Sequence, residues 1–450
     1  MSKRSKILAL SVSRTVIAAV LMGGLAVETK AESVSEPATK IGAEIARDLV
    51  AEEFASVGKR MSGEMAAGLP NAKLAEIWSA LIKQLGPCTG LGEPWSEAKA
   101  GFTVVRVPMK FGARTLDLKL SVASDEIVGF FIVPHEESVA GWRPPAYADP
   151  NTFHEIEVKV GGAPNGLPGT LSLPNGVAAA PAVILVHGSG PQDRDESLGP
   201  NRPFRDLAAG LATKGIAVLR YDKRTKVYPE SFAQLKNPTV KEETLDDVSL
   251  AIGFLKARPE IDARRITVIG HSLGGMLAAR IAAINPSVAR IVILAGATRN
   301  LADITVAQVE YLAGLNGPID HSDAEQIRRL KAEAARVRAA RPGDEGPPFF
   351  GAPLSYWADL NAYDPAEAAA SLTIPMLILQ GGRDYQVTTE DFDRFRSALR
   401  AHANVACHLL PKLNHLFMSG VGRSTPSEYE ATGHVDVEAI ELIAAFVLAR

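Results

Sequence analysis

The sequence predicts a three-layer α/β domain that follows a smaller α+β domain, and three observations support this prediction. Over residues 151–450, short apolar runs alternate with segments of helical periodicity, the pattern of a mostly parallel, eight-stranded sheet flanked by helices. Over residues 41–135, two helical segments precede runs that read as an antiparallel sheet. Residues 141–150 are irregular and rich in proline, which favours a linker between the two domains.

The elements of both domains are predicted from their periodicity, with one antiparallel hairpin before the parallel strands. The strands of the larger domain are predicted at residues 153–160, 168–173, 182–186, 216–220, 266–269, 291–294, 376–379 and 405–410. Its helices are predicted at residues 204–213, 244–257, 275–283, 389–399 and 435–448. The smaller domain is predicted to contain helices 41–65 and 74–85 and strands 102–107, 116–122 and 127–133.

One connection in the larger domain is much longer than the others. About 80 residues separate the strand that ends near residue 294 from the strand that begins at residue 376. They include a charged helical segment, residues 322–340, whose charges are expected to face solvent. We therefore predict that residues 299–365 form a cap inserted over the carboxyl edge of the sheet.

The composition is that of an ordinary globular protein and excludes some functions. The chain has 450 residues, of which 46% are hydrophobic and 22% are charged, and its net charge is −3. Because it has no dense stripe of lysine and arginine, nucleic acid is excluded as a partner. No metal-binding or phosphate-binding motif is present, and no cofactor is implied.

The first residues have the pattern of a secretory signal peptide. Lys3, Arg4 and Lys6 form a basic head, residues 15–27 are apolar, and small residues follow. We predict that residues 1–31 are removed and that the mature protein is periplasmic or secreted. An uncleaved anchor is the alternative. No other segment is long and apolar enough to span a bilayer.

The chain has two cysteines, Cys88 and Cys407, which the predicted boundaries assign to different domains. In an oxidising compartment they could form a disulfide. Two unpaired, packed cysteines are the favoured interpretation. Neither is a candidate nucleophile, because no histidine stands near either of them in a catalytic motif.

The run Gly270-His271-Ser272-Leu273-Gly274 matches the pattern G-x-S-x-G. A β-rich run leads into it and a helix of small residues leads out, which is the context that a nucleophile elbow needs. Such an elbow holds its serine at a helix N-terminus, where the helix dipole and free amides stabilise negative charge. We predict that Ser272 is the nucleophile and that the Leu273 amide is one oxyanion donor.

A serine hydroxyl needs a base, and four histidines follow Ser272 in the chain. His402 is predicted at a helix end and His408 within a strand. His415 lies just past the last strand, at the edge of the sheet where the active site belongs, and is the predicted base. His434, which precedes the final helix, is the alternative.

The acid that orients this histidine is expected at the end of the preceding strand. Residues 376–379 run into Gln380-Gly381-Gly382-Arg383-Asp384, so Asp384 emerges at the carboxyl end of that strand. A turn-forming aspartate after two glycines is the alternative interpretation. The positions of Ser272 and His415 favour the catalytic one.

A second oxyanion donor is expected in the loop after the strand at residues 182–186. Its glycines make the backbone amide of Ser189 the predicted donor, with that of Gly190 next to it. His187 is expected to brace this loop rather than transfer protons. Two nearby charged runs are interpreted as ion-pair braces rather than metal or phosphate sites: Asp193-Arg194-Asp195 and Tyr221-Asp222-Lys223-Arg224.

With these residues in place, the chain resembles secreted bacterial members of the α/β-hydrolase superfamily that have an extra N-terminal domain. The resemblance rests on residues 187–225 and on the runs GHSLGG, YWADLNAYDP, LQGGRDYQV and LNHLF. It implies the α/β-hydrolase fold and esterase activity, with serine-aminopeptidase-like and dienelactone-hydrolase-like relatives. Dienelactone hydrolases use cysteine as nucleophile, so Ser272 favours carboxylesterase chemistry.

The function predicted from the sequence is hydrolysis of small, short-chain acyl esters through an acyl-enzyme on Ser272. A serine exopeptidase is one alternative, in which Asp303, Glu310 or Asp359 of the cap would bind the substrate amine. The other alternative assigns the function to the N-terminal domain, which would bind a cell-envelope partner or form a homodimer.

Overall fold

The computed structural model describes residues 38–449 apart from residues 100–101, 113, 135–141 and 163–164. The predicted signal peptide, residues 1–31, lies outside the described residues. Within them the chain divides into two compact units, one ending at Trp142 and the other beginning at Arg143.

The smaller unit combines four helices with an antiparallel sheet. The helices are α1 (Ala38–Val50), α2 (Phe54–Lys59), α3 (Gly63–Gly68) and α4 (Asn71–Leu85). The strands are β1 (Cys88–Leu91), β2 (Trp95–Lys99), β3 (Phe102–Phe111), β4 (Arg114–Ala123) and β5 (Glu126–Pro134). The strand order is β1-β3-β4-β5, and β2 pairs with β3 as well.

The prediction of a single helix over residues 41–65 is wrong. The chain leaves the helical conformation after Val50, and Glu52 adopts a φ of 62°, which no helix continues through. Ser62 then starts α3 by accepting a hydrogen bond from the amide of Met65. The prediction of three strands is also incomplete. The structure adds β1 and β2, two short strands that pair with β3.

The larger unit is built on an eight-stranded sheet. Its strands are β6 (Phe153–Val160), β7 (Leu167–Pro174), β8 (Ala180–Val186), β9 (Ala217–Tyr221), β10 (Ile261–His271), β11 (Val288–Leu294), β12 (Met376–Gly381) and β13 (Val405–Leu410). They lie in the order β13-β12-β11-β10-β8-β9-β7-β6. The strands from β8 onward are parallel, and β6 and β7 form an antiparallel hairpin at one edge. The predicted fold class is confirmed.

Helices cover both faces of this sheet. They are α5 (Pro203–Thr213), α6 (Arg224–Val227), α7 (Pro229–Ala233), α8 (Asp246–Lys256), α9 (Leu273–Ile284), α10 (Leu301–Ala313), α11 (His321–Arg338), α12 (Leu354–Asn361), α13 (Pro365–Ala370), α14 (Thr389–Ala398) and α15 (Val437–Leu448). Short 3₁₀ turns occur at Pro150–Thr152, Gly314–Asn316 and Pro426–Glu430, and a π-helical turn, Lys241–Leu245, leads into α8.

The alternation of side chains along each strand explains why the strand runs are continuously apolar. Ile184 and Val186 of β8 enter the core that also contains residues of α8 and α9. Val183 and Leu185 enter the opposite core, with residues of α5 and α15. Because both faces of the parallel strands are buried, no polar alternation remains to be read from the sequence.

The chain between β11 and β12 forms α10, α11, α12 and α13. Side chains from three of these helices, including Val306, Val337 and Trp357, make a small apolar core of their own. Arg328 and Arg329 on α11 pair with Glu325 and face solvent. None of the helices in the described ranges is both long and apolar enough to cross a membrane.

Candidate active site

The G-x-S-x-G run forms a sharp turn between β10 and α9. Ser272 is held there at φ 54° and ψ −114°, a conformation that L-residues rarely adopt. A Cβ added to Gly270 would collide with the carbonyl of Gly274, and a Cβ added to Gly274 would collide with the carbonyl of Val186. The two glycines therefore permit the turn that presents the Ser272 side chain.

The backbone around Ser272 is fixed on both sides. Its amide donates to the carbonyl of Leu294 at 2.9 Å, and its carbonyl accepts from the amide of Met276 at 2.9 Å. Leu273 is the first residue of α9, and the first amides of an α-helix have no partner within the helix. The Leu273 amide thus lies at the positive end of the α9 dipole, directly beside Ser272.

Asp384 and His415 meet at the carboxyl ends of β12 and β13. Nδ1 of His415 lies 2.7 Å from Oδ2 of Asp384, and both side chains are buried. The second oxygen of Asp384 accepts from the amides of Gln386 at 2.8 Å and Val387 at 3.0 Å. With Nδ1 donating to Asp384, the neutral imidazole of His415 keeps its lone pair on Nε2, the form that a general base needs.

The alternative base, His434, is placed elsewhere. Its Nδ1 lies 2.9 Å from Oδ1 of Asp206, and the other oxygen of Asp206 accepts from the amide of Val435 at 3.0 Å. This arrangement ties the start of α15 to α5. His402 lies in the turn after α14 and His408 on β13. Of the four histidines, the structure brings His415 to Asp384.

The loop after β8 runs next to Ser272. A Cβ placed on Gly188 would lie 3.2 Å from the Cβ of Ser272 and 3.7 Å from its Oγ. The Gly188 amide donates to Oε1 of Glu196 at 2.5 Å, and its carbonyl accepts from Nζ of Lys223 at 2.9 Å. Ser189, the predicted oxyanion donor, follows in this loop.

His187 is buried between two aromatic rings. Its ring centroid lies 5.1 Å from that of Phe204 and 5.3 Å from that of Tyr221. Burial is the largest effect and lowers the pKa of His187 to about 4, although Glu196 acts in the opposite direction. A packed histidine with a lowered pKa is consistent with the predicted role of bracing this loop.

A buried ion pair between Glu196 and His271 was not predicted from the sequence. Nδ1 of His271 lies 2.8 Å from Oε2 of Glu196, and Nε2 of His271 donates to the carbonyl of His415 at 2.9 Å. Burial alone would lower the pKa of His271, but the Glu196 carboxylate outweighs it and the pKa is raised. Burial opposes the ionisation of Glu196, yet His271 holds its pKa below the usual value.

The charged runs near the site form ion pairs with neighbouring strands. Arg194 pairs with Asp222 at 3.0 Å, and Arg220 pairs with Asp195. The part of the chain that the structure describes contains no group of His, Cys, Asp and Glu side chains that could hold a metal ion. Cys88 and Cys407 are both free thiols.

The three carboxylates considered for an exopeptidase are each paired with a cation. Asp303 contacts Arg338 at 3.1 Å, Glu310 contacts Lys331 at 2.6 Å, and Asp359 contacts Arg280 at 2.9 Å. A carboxylate already neutralised in this way is a poor ligand for a substrate ammonium group.

Bulky side chains surround the acid and the base. Tyr385 follows Asp384, and Leu416 follows His415. Both belong to an apolar cluster with Leu198, Met418 and Tyr429. The ring of Tyr311 from α10 stacks on that of Tyr385 with the centroids 4.8 Å apart, so α10 reaches this part of the site.

The chain matches a protein family and is similar to several known proteins. The model of a family described as "Alpha/beta hydrolase family" matches residues 183–431. The chain is 36% identical over 404 residues to esterase EstD of Thermotoga maritima, covering 89% of this chain and 93% of that protein. Among solved structures, it is similar to an esterase of Pyrococcus furiosus, with 20% identity, a TM-score of 0.42 and coverage of 70% and 96% of the two chains. Est1E of Butyrivibrio proteoclasticus gives 17% identity, a TM-score of 0.41 and coverage of 65% and 95%.

Proposed function

This chain belongs to the alpha/beta hydrolase family, and we propose that it hydrolyses short-chain carboxylic esters with Ser272, His415 and Asp384 as its catalytic triad. The observation that supports the triad is the 2.7 Å contact between His415 and Asp384 at the sheet edge where the strained Ser272 turn lies. The similarity to a named esterase over nearly the whole chain supports ester hydrolysis.

In the proposed reaction, Oγ of Ser272 attacks the ester carbonyl while Nε2 of His415 takes the hydroxyl proton. Asp384 keeps Nδ1 protonated and stabilises the imidazolium that forms. The amides of Leu273 and Ser189 donate to the oxyanion. His415 then gives its proton to the departing alcohol, which leaves an acyl-enzyme. Water attacks that acyl group with His415 again as the base, and the carboxylic acid and free Ser272 result.

The preference for short acyl chains is supported by the side chains next to the triad. Tyr385 and Leu416 directly follow the acid and the base, and Tyr311 of the cap packs on Tyr385. We infer that these large rings and branched side chains, which adjoin the acid and the base, restrict the acyl site to small groups.

The experiment that tests the triad is fluorophosphonate labelling of the purified protein, mapped by mass spectrometry, with turnover of p-nitrophenyl acetate, butyrate and octanoate. We expect the adduct on Ser272 and turnover that decreases from acetate or butyrate to octanoate. Ser272→Ala should lose label and turnover, whereas the control Ser197→Ala should keep both. A folded Ser272→Ala protein that still hydrolyses these esters would overturn the proposal. Faster cleavage of amino-acid arylamides than of matched esters would favour the exopeptidase.

We also propose that residues 1–31 are removed as a signal peptide and that the mature protein is periplasmic or secreted and forms a homodimer. The basic head and apolar run of the first residues support export. N-terminal sequencing of the fractionated native protein tests export, and light scattering of the purified protein tests the dimer. An intact N-terminus in the cytoplasmic fraction, or a monomer mass, would contradict the respective proposal.

A further inference from the structure

We propose that Lys223 is a positioning residue for the oxyanion donor at Ser189, and that Glu243 and Tyr356 connect it to the cap helix α12. This inference rests on the proposed function, because it assigns a role to groups that act on the triad's oxyanion. It concerns a chain of buried polar contacts that runs from the loop after β8, through Lys223 and the π-helical turn, to the cap.

The carbonyl of Gly188 and the amide of Ser189 belong to the same peptide unit. A trans peptide is planar, and its C=O and N–H point in opposite directions. The hydrogen bond from Nζ of Lys223 to the Gly188 carbonyl, at 2.9 Å, therefore also fixes the direction of the Ser189 N–H. The Gly188 amide is fixed in turn by Glu196 at 2.5 Å. A glycine that would otherwise be free to rotate is held on both sides.

The charge of Lys223 adds to this geometric effect. A charged donor makes a stronger hydrogen bond to a carbonyl than a neutral donor does. Such a bond polarises the peptide unit, and polarisation strengthens the hydrogen bond that the N–H of the same unit donates. Lys223 thus fixes the direction of the Ser189 N–H and strengthens the hydrogen bond that this N–H donates, without contacting the substrate.

Lys223 is almost fully buried and its charge requires a partner. Nζ lies 2.6 Å from Oε1 of Glu243, whose side chain is also buried. The hydroxyl of Tyr356 donates to Oε2 of Glu243 at 2.6 Å. Burial, followed by the Glu243 carboxylate, raises the pKa of Tyr356, so the hydroxyl stays protonated and remains a donor.

The location of these residues gives the cap a route to the oxyanion donor. Glu243 lies in the π-helical turn Lys241–Leu245, and such turns often occur at functional sites. Tyr356 lies on α12, within the insertion between β11 and β12. Displacement of α12 would remove the hydrogen bond that Tyr356 donates to Glu243. The Glu243 carboxylate would then lack one hydrogen-bond partner, and its ion pair with Lys223 would change. The position of the cap would then affect turnover more than substrate binding.

The first test is the double substitution Lys223→Met with Glu243→Gln, which leaves no unpaired buried charge. The measurements are kcat and KM for p-nitrophenyl butyrate, the melting temperature, and the inhibition constant of a trifluoromethyl ketone, whose serine adduct carries an oxyanion. We expect kcat to fall roughly 10- to 100-fold with KM nearly unchanged, and the ketone affinity to fall by a similar factor. A folded variant with unchanged kcat and ketone affinity would overturn the inference.

The second test examines the cap through two hydroxyls on α12. Tyr356→Phe removes the donor to Glu243, and Ser355→Ala removes a donor to the Pro238 carbonyl at 2.9 Å, outside the proposed chain. We expect Tyr356→Phe to lower kcat and ketone affinity together by about threefold to tenfold, and Ser355→Ala to change neither. Equal effects of both substitutions, or no effect of Tyr356→Phe, would contradict the connection to the cap.

Ser272→Ala, measured in parallel, distinguishes failure of the proposed function from failure of the positioning role. Retained turnover in that variant would remove the proposed function itself. An inactive Ser272→Ala protein together with a fully active Lys223→Met, Glu243→Gln protein would leave the proposed function standing and remove only the positioning role.

Discussion

Oε2 of Glu196 lies 2.8 Å from Nδ1 of His271, so a buried ion pair joins the loop after β8 to the turn that contains the nucleophile. The same carboxylate binds the Gly188 amide, and the same imidazole binds the carbonyl of His415. One pair of side chains therefore links the three backbone segments that the proposed reaction requires.

We expect Glu196→Gln to destabilise the protein by about 3 kcal/mol near neutral pH, because the change leaves a buried imidazole without its counter-charge. The pKa of His271 is raised in the folded state. Its contribution to folding stability is therefore fully present below the pKa of the unfolded state and is lost as pH rises through the pKa of the folded state. The pKa of Glu196 is lowered, so its contribution is lost as pH falls through the folded value. Urea unfolding across a pH series measures the loss of stability at both the high-pH and the low-pH end.

The stability difference between the native protein and Glu196→Gln should therefore narrow as pH rises above the raised pKa of His271. A matched control is Glu157→Gln, which breaks the exposed pair with Arg194 and should cost less than about 1 kcal/mol. If the stability difference between the native protein and Glu196→Gln stays constant across the pH series, the charge of His271 contributes nothing to stability.

Asp384→Asn should preserve the fold and lower kcat by about 10⁴-fold, because an amide in place of the carboxylate favours the wrong tautomer of His415. The melting temperature checks the fold, and the steady-state rate of p-nitrophenyl butyrate hydrolysis checks the effect. Asp206→Asn, which alters the other aspartate–histidine contact, should leave kcat within about threefold. The reverse ranking of the two variants would identify His434 as the base.

Gly274→Ala should destabilise the protein by about 3 kcal/mol, because the added methyl group collides with the carbonyl of Val186 and the backbone cannot yield. Gly253 in the middle of α8 is the matched control, since a Cβ there meets no atom within 4 Å. Gly253→Ala should be neutral or stabilising by about 1 kcal/mol from helix propensity. Thermal unfolding of both variants tests the contrast, and equal melting temperatures would contradict it.

Tyr311→Ala should shift the ester preference towards longer acyl chains, because it removes the cap ring that stacks on Tyr385 beside the acid. Tyr311→Phe keeps the ring and should keep the preference of the native protein. The ratio of kcat/KM for octanoate to that for acetate is the quantity to compare. An unchanged ratio in the alanine variant would mean that this ring does not limit the acyl site.

The fold of the larger unit was predictable because parallel strands buried on both faces leave a continuous apolar run, as residues 182–186 do. The proposed acid and base were predictable for a related reason. Loops at the carboxyl ends of consecutive strands converge, so Asp384 and His415 were expected together and are found 2.7 Å apart.

Other features could not be read from the sequence because they depend on distant partners. Glu196 lies in a run of charges that is typical of a solvated loop, yet it is buried against His271, 75 positions further along the chain. The charged run at Tyr221–Arg224 gave no sign that Lys223 reaches Gly188. The break in the helix at Glu52 carries no glycine or proline, and β2 is defined by its pairing with β3.

The order of the proposed catalytic groups along the chain has a consequence for biosynthesis. A ribosome that has completed β11 has made the whole serine turn, but neither the acid nor the base exists. At that stage the edge of β11 that later pairs with β12 is also bare, and an uncovered strand edge invites aggregation. Esterase turnover in a translation extract should therefore appear only after His415 has emerged, and nascent chains arrested earlier should be both inactive and prone to capture by chaperones.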